Sequence, residues 1–368
     1  MPSKENSMSP SEPVSAEELV RETVASIPGL NPAWHERAIR RLNSLTKPLG
    51  SLGRLEEIAA QLVVIREEDF PDCSNKVIFT LAADHGVTQE GVSAYPQAVT
   101  RQMVLNFLSG GAAINVLCRQ FGIEVVIVDI GVDADTDELQ GLVRLKVRRG
   151  TSNMAAGPAM TRAEAYRALQ AGIALAERAH GEGKKLVGTG EMGIGNTTAA
   201  SAIAATLCGK PIAEVTGKGA GLDDAALGRK IDIIDRALRL NRPNPADPID
   251  VVSKVGGLEI AGLAGLALGA AAHRIPVVID GFISTAAAAI AVAIEPRLKG
   301  FLLASHRSSE PGHDALLKFI GLEPFLRLDM RLGEGTGAAL VMPVIEASAN
   351  LLKEMATFSS AGVSESNS

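Results

Sequence analysis

The chain has 368 residues, 46% of them hydrophobic but only 3% aromatic, with 37 glycines and a formal net charge of -6. That length and apolar content suffice for a sizeable core built from Ala, Val, Leu and Ile, and the glycine usage, above the average of roughly 7%, implies close backbone contacts. An acidic balance without any Lys/Arg cluster excludes a polyanion-binding surface, so no nucleic-acid partner is expected.

The opening "MPSKENSMSPSEPVS" is polar and has no apolar h-region, so residues 1–15 are expected to be a disordered tail rather than a signal peptide, and the chain to be cytoplasmic. In "SAEELVRETVASI", Ser15 and Glu18 have the spacing of a capping box. "LGRLEEIAAQLVVIREE" follows with apolar residues at helical spacing, so residues 16–70 are expected to be helices of a small domain. The runs "KVIFTLAADHG", "EVVIVDIG", "KLVGTGEMG", "IPVVIDG" and "GFLLASHRS" predict buried strands, each followed by a loop and a helical segment. This alternation predicts an α/β fold across 71–335, a parallel sheet covered by helices on both faces. The long apolar stretch Gly256 to Ile294 is interrupted by Glu259, His273, Arg274 and Asp280, which predicts helix, strand and helix rather than a membrane span. A last helix over 336–356 is expected to pack with the small domain, ahead of a second disordered tail, 357–368. Cys73, Cys118 and Cys208 are odd in number and form no C-x-x-C pair, so neither disulfides nor a zinc site are expected.

In parallel sheets, ligands sit outside the carboxyl ends of the strands. Asp84, His85, Glu191, Asp280, Ser305 and His306 all follow predicted strand ends, which points to one shared site. The densest signal is "GTGEMGIGNTTAASAIAATL", where Gly188, Gly190, Gly193 and Gly195 run into Asn196, Thr197 and an Ala-rich helix. Glycines let backbone N–H groups approach a phosphate, and the helix start adds its positive dipole end. The same glycines match G-x-G-x-x-G and raise a dehydrogenase, although Glu191 inside that loop would repel a pyrophosphate. No P-loop is present; "VTGKGAGLDD" has Gly217, Lys218 and Gly219 but no Ser or Thr after the lysine. His306 and His313 lack a convincing metal-ligand spacing. The loop "GVSAYPQAVTRQM" carries one of the two tyrosines, Tyr95, and is suited to closing over a flat ligand. In "RLGEGTGAAL" a single carboxylate, Glu334, stands between Gly333 and Gly335, whose small size would let a flat ring approach it.

Together, "ADHGVTQEGVSAYPQAVTRQMVLNFLSGGAAINVL", "GEMGIGNTTAASAI", "GKGAGLDD", "DGFISTAAAA", "SHRSSEPGH" and "LDMRLGEGTGAAL" resemble the nicotinate-nucleotide–dimethylbenzimidazole phosphoribosyltransferase family, in the family's order, from Pro28 to Lys353. The resemblance implies a Rossmann-like parallel sheet with a small helical domain, a homodimer, and no metal or other cofactor. It implies transfer of the 5-phosphoribosyl group of nicotinate mononucleotide to 5,6-dimethylbenzimidazole with inversion, giving α-ribazole 5′-phosphate and nicotinate. By match to the motifs, Glu334 is the general base. Glu191 is placed near the ribose or the reacting ring, and Gly193, Gly195, Asn196 and Thr197 at the phosphate. Lys218, Gly219 and Ser305 are nucleotide contacts, and Tyr95, Met103 and Leu332 flank the benzimidazole. The alternatives are an NAD-dependent dehydrogenase, resting on the G-x-G-x-x-G string, and a non-catalytic nucleotide sensor that kept the phosphate cradle.

Overall fold

The computed structural model describes residues 15–364, Ala220 excepted. Three helices come first: α1 (Ala16–Ser26), α2 (Pro32–Asn43) and α3 (Arg54–Arg66). Next come β1 (Lys76–Ala83), α4 (Val99–Leu108), α5 (Ala113–Phe121), β2 (Glu124–Gly131), a two-residue edge strand β3 (Val143–Arg144) and α6 (Arg162–Gly181). Then follow β4 (Leu186–Met192), α7 (Asn196–Cys208), α8 (Ile212–Val215), α9 (Asp224–Asn241), α10 (Pro248–Val255) and α11 (Leu258–Ala272). The chain continues through β5 (Val277–Ile279), α12 (Phe282–Ile294), β6 (Leu302–Ala304), α13 (Gly312–Ile320), α14 (Thr336–Glu354) and α15 (Phe358–Ala361).

The six strands form one sheet in the order β3-β2-β1-β4-β5-β6, every adjacent pair parallel. This is the Rossmann order, and the five strands predicted from apolar runs are all present. β3 escaped prediction because two residues at the sheet edge carry no periodic signal. The chain reverses direction across the sheet between β1 and β4, which opens a crevice beyond their carboxyl ends. β1 is buried along its whole length, as a strand covered on both faces must be.

One face packs against α11, and α6 packs on α11 in turn, where the lack of aromatic bulk has its structural use. A Cβ on Gly172 would overlap the Gly262 carbonyl oxygen, and one on Gly265 would overlap the Leu169 carbonyl oxygen, so these helices touch backbone to backbone. Gly256 to Ile294 forms α11, β5 and α12 as expected, and no described helix is long and apolar enough to cross a membrane.

The small helical annex differs from the expected one. α2, α3 and the end of α14 share a cluster that includes Leu42, Leu45, Val63 and Leu352, but α1 packs on α6 and the main core through Val20 and Ile27. Ser15 caps α1 by accepting the Glu18 N–H at 3.2 Å. Residues 1–14 lie outside the described residues. Residues 357–361 do not begin a tail: Thr357 caps α15, and the Leu45–Thr357 bridge holds the segment on the annex. The tail expected at the C-terminus otherwise falls partly on 365–368, outside the described residues.

Gly172→Ala is expected to lower the unfolding free energy by about 1–3 kcal/mol through overpacking, read as a lower urea midpoint. An unchanged midpoint would show that α6 and α11 can part without cost.

Candidate active site

A cavity of about 670 Å³ opens at the carboxyl ends of β4, β5 and β6. It is lined by Tyr95, Met103, Glu191, Gly193, Gly195, Asn196, Thr197, Lys218, Gly219, Leu332 and Glu334, so the fold gathers residues that lie far apart along the chain. Ser305 is the exception. It is buried behind the wall, where its Oγ donates to the Asp280 carbonyl oxygen at 3.0 Å and lies 3.2 Å from His306 Nδ1, while His306 and Ser308 reach the cavity instead.

The glycines of the "GTGEMGIGN" stretch divide into two groups. Gly188 and Gly190 lie inside β4, not in a loop. A Cβ on Gly188 would sit 2.7 Å from Met342 Cε, and one on Gly190 would overlap the Glu334 carbonyl oxygen, so both exist to seat α14 on the sheet. The G-x-G-x-x-G match is therefore a packing motif, which removes the dehydrogenase reading. Gly193 and Gly195 do form the turn into α7. Gly195 has φ +94°, and no side chain caps α7, whose N-terminus with Asn196 and Thr197 faces the cavity. Such a helix start favours an anion.

Glu334 lines the same cavity in an unusual backbone. Gly333, Glu334 and Gly335 have φ of 87°, 64° and 98°, three left-handed residues in succession. That conformation costs a non-glycine residue roughly 1–2 kcal/mol. The turn is fixed by the Glu334 N–H donating to the Glu191 carbonyl oxygen at 3.2 Å and by Thr80 Oγ1 donating to the Glu334 carbonyl oxygen at 2.9 Å. The Glu334 side chain is buried, the residue being 5% exposed, and its Oε2 accepts the Ile114 N–H, in the first turn of α5, at 3.2 Å. Burial, with the neighbouring Asp280 charge, raises its pKa, against the Ile114 hydrogen bond. The flanking glycines do not make room for a ring, as expected from sequence. A Cβ on Gly333 would overlap Glu191 Oε1, and one on Gly335 would lie 2.7 Å from Ile78 Cγ2, so they let the turn adopt its shape and lie against the sheet.

Glu191 is also 5% exposed and accepts from Asn196 Nδ2. Burial, then the charges of Asp280 and Glu259, push its pKa well above the usual carboxylate value, and the Asn196 bond opposes them. Glu191 and Glu334 thus face one cavity as two carboxyl groups with unequal environments.

The sequence missed Lys230. Its buried Nζ donates to Thr197 Oγ1 at 2.8 Å and to the Gly217 carbonyl oxygen at 3.2 Å, and burial pulls its pKa down to about 8 against the pull of the Glu310 charge. A signal was present: on α9 the buried residues Ala226, Lys230, Ile233, Ile234 and Ala237 form one stripe, with a lysine where an apolar residue belongs. Glu310 lines the cavity with its Oε2 unpartnered among the described residues. Lys218, exposed at the rim, pairs with Asp224 at 2.7 Å.

His85 lies below the Gly193 turn, buried, its Nε2 2.7 Å from Glu259 Oε1, and Asp84 Oδ2 accepts the Asp133 N–H at 2.8 Å. Neither lines the cavity. His313 accepts the Ser308 N–H at Nδ1 (2.8 Å) and lies 2.9 Å from Thr285 Oγ1 through Nε2, so both ring nitrogens are engaged internally. No group of three His, Cys, Asp or Glu among the described residues is arranged to hold a metal ion.

A family model described as a phosphoribosyltransferase matches residues 27–363. The nicotinate-nucleotide–dimethylbenzimidazole phosphoribosyltransferase of Geobacter metallireducens is 57% identical over 345 residues, 94% of this chain and 98% of that one. The chain belongs to this family. A Geotalea uraniireducens member is 56% identical over 94% of this chain and 99% of its own length. The crystal structure of the Thermus thermophilus member superposes with a TM-score of 0.87 at 47% identity, covering 92% of this chain and all of that one. Family membership makes the chain a pentosyltransferase.

Because Glu191 binds its proton more tightly in the folded than in the unfolded chain, its ionisation costs stability as pH rises through the window between the two values. Glu191→Gln is therefore expected to melt at a higher temperature than the parent at about pH 8, with the gap closing at about pH 4, below the unfolded value. Thermal melts showing no pH-dependent gap would contradict a raised Glu191.

Proposed function

We propose that the cavity transfers the 5-phosphoribosyl group of nicotinate mononucleotide to 5,6-dimethylbenzimidazole, with Glu334 as the base. The observation that carries this is the placement of Glu334: a buried carboxylate in a strained left-handed turn, lining the cavity, with one backbone N–H as its hydrogen-bond donor among the described residues. A general base needs a proton affinity above that of an ordinary carboxylate, and burial supplies it.

The chemistry requires no general acid. The bond between the anomeric carbon and the pyridinium nitrogen breaks, and its electron pair neutralises that nitrogen as nicotinate leaves. A benzimidazole nitrogen forms the new bond from the opposite face, and the proton of the other ring nitrogen passes to Glu334. The carboxylate's charge also favours the cationic ribosyl centre in a site shielded from water. Gly193, Gly195, Asn196 and Thr197 hold the phosphate at the start of α7, with Lys230 behind Thr197 and Lys218 and Gly219 at the rim. Glu191, tied to Asn196, stands between phosphate and base at the ribose. Tyr95, Met103 and Leu332 form the flat slot for the incoming ring. Ser305 acts from behind by supporting Asp280 and His306. Homodimerisation in the cytoplasm belongs to the same reading, supported by family membership, and the mass in solution tests the dimer.

Mixing the protein with nicotinate mononucleotide and dimethylbenzimidazole should release nicotinate and α-ribazole phosphate, resolved by chromatography. Binding without release of nicotinate would leave the sensor reading. Glu334→Gln should keep the fold and nucleotide binding while kcat falls by about 10² to 10⁴. Since Lys230 loses its charge near pH 8, nicotinate mononucleotide affinity should weaken by up to about tenfold between about pH 7 and pH 9, and Lys230→Met should abolish that dependence. A pH-independent Kd in the parent would remove Lys230 from the phosphate site.

A further inference from the structure

We propose that Asp280 is a positioning residue for this reaction: by accepting the N–H groups at the start of α14, its carboxylate holds the Gly333–Gly335 turn and so fixes where Glu334 meets the incoming ring. This rests on Glu334 being the base.

Asp280 directly follows β5 and is 2% exposed. Its Oδ1 accepts from Gly337 N at 2.6 Å and Ala338 N at 3.1 Å, and its Oδ2 accepts from Gly335 N at 3.2 Å. Gly335, the N-cap of α14, has no side chain to satisfy these donors. A side chain from the end of another element performs the capping, and in doing so ties the residue next to Glu334 to the sheet. A turn of three left-handed residues is held in place only if its surroundings over-determine it. Here the anchors are the Thr80 hydroxyl, the Glu191 carbonyl oxygen and Asp280; burial raises the Asp280 pKa, and His306 with the three backbone N–H groups opposes that by favouring the carboxylate. Asp280 is itself placed by its own N–H donating to Thr189 Oγ1 at 3.2 Å and by Ser305 Oγ on its carbonyl oxygen.

The same carboxylate acts on Glu334 through space. Around Asp280 stand His306, with Nδ1 at 4.0 Å, and the carboxyl groups of Glu191 and Glu334. Glu334 faces Asp280 from the end of β5, the Glu191 carboxyl from β4 and the neutral Ile114 N–H from α5; Arg331 and Asp329, on its own loop, line the cavity. Two buried like charges disfavour ionisation of each other, so Asp280 makes Glu334 hold a proton more tightly. A stronger base is the result, at the cost of a higher pH being needed to free it.

The test is Asp280→Asn, of equal size, with kcat, KM and pH–rate profiles for the parent and both variants, Glu334→Gln included. Near neutral pH kcat should fall about 10- to 100-fold with KM for nicotinate mononucleotide within about threefold, because the interaction lost is one felt in the transition state. Removing the charge lowers the Glu334 pKa, so the acid limb of kcat/KM should move to lower pH by roughly half a unit or more. A loss of kcat with the acid limb unmoved, or a KM that rises in step with the loss, would reduce Asp280 to ordinary scaffold and overturn the proposal. Should Asp280→Asn fail to fold, Thr189→Val, which leaves the charge and removes the hydroxyl that accepts the Asp280 N–H and donates to the Val278 carbonyl oxygen, should lower kcat without moving the limb; an unaltered kcat would equally overturn it. An active Glu334→Gln overturns the base assignment and this proposal with it, whereas an inactive Glu334→Gln beside an unaltered Asp280→Asn overturns only the positioning role.

Discussion

The active site depends on how closely the start of α14 lies on β4. Two residues of that strand, Gly188 and Gly190, have no side chain where Met342 and the Glu334 backbone press against it. With ordinary residues there, the helix would stand further out, and Glu334 would no longer share a cavity with the α7 N-terminus. The short central part of the sheet therefore serves both as core and as the floor of the reaction site.

The carboxylates are the second constraint. Glu191, Glu259, Asp280 and Glu334 are all buried near one another, which is unfavourable to each. The structure offsets this with donors fixed by the fold: three backbone N–H groups at Asp280, His85 at Glu259, Asn196 at Glu191 and the start of α5 at Glu334. These donors differ in strength, so the four acids are not equivalent. Two of them, Glu191 and Glu334, line the cavity, each with a single donor, a side-chain amide for the first and a backbone N–H for the second.

Apolar runs identified five of six strands, and the residues following them identified the edge where the site lies. This worked because a parallel sheet buried on both faces leaves no alternation to misread, although only Glu191 and His306 of the polar residues after those runs line the cavity, Asp84, His85, Asp280 and Ser305 being engaged within the fold. Motif matching placed eleven residues in the cavity, and erred for Ser305, whose hydroxyl is turned inward toward Asp280. The purpose of individual glycines was less legible. Gly188, Gly190, Gly193 and Gly195 look alike in sequence, yet two serve helix packing and two shape a turn, a distinction that depends on α14, far later in the chain. α1 joined the main core rather than the annex for a similar reason: an apolar stripe read from sequence does not name its partner, here α6 and α11.

Tyr95 and Leu332, at the mouth of the cavity, are 53% and 58% exposed, whereas Gly333, Glu334 and Gly335 are fixed by contacts with Glu191, Thr80 and the sheet. The two regions therefore tolerate inheritance of change very differently. Every single-nucleotide missense change in a glycine codon introduces a side chain, so the turn has no neutral neighbours in sequence space. The rim has many, since its residues can be exchanged without disturbing packing. On the proposed assignment of the site, the residues flanking the incoming ring are free to drift while the turn that carries Glu334 is held fixed.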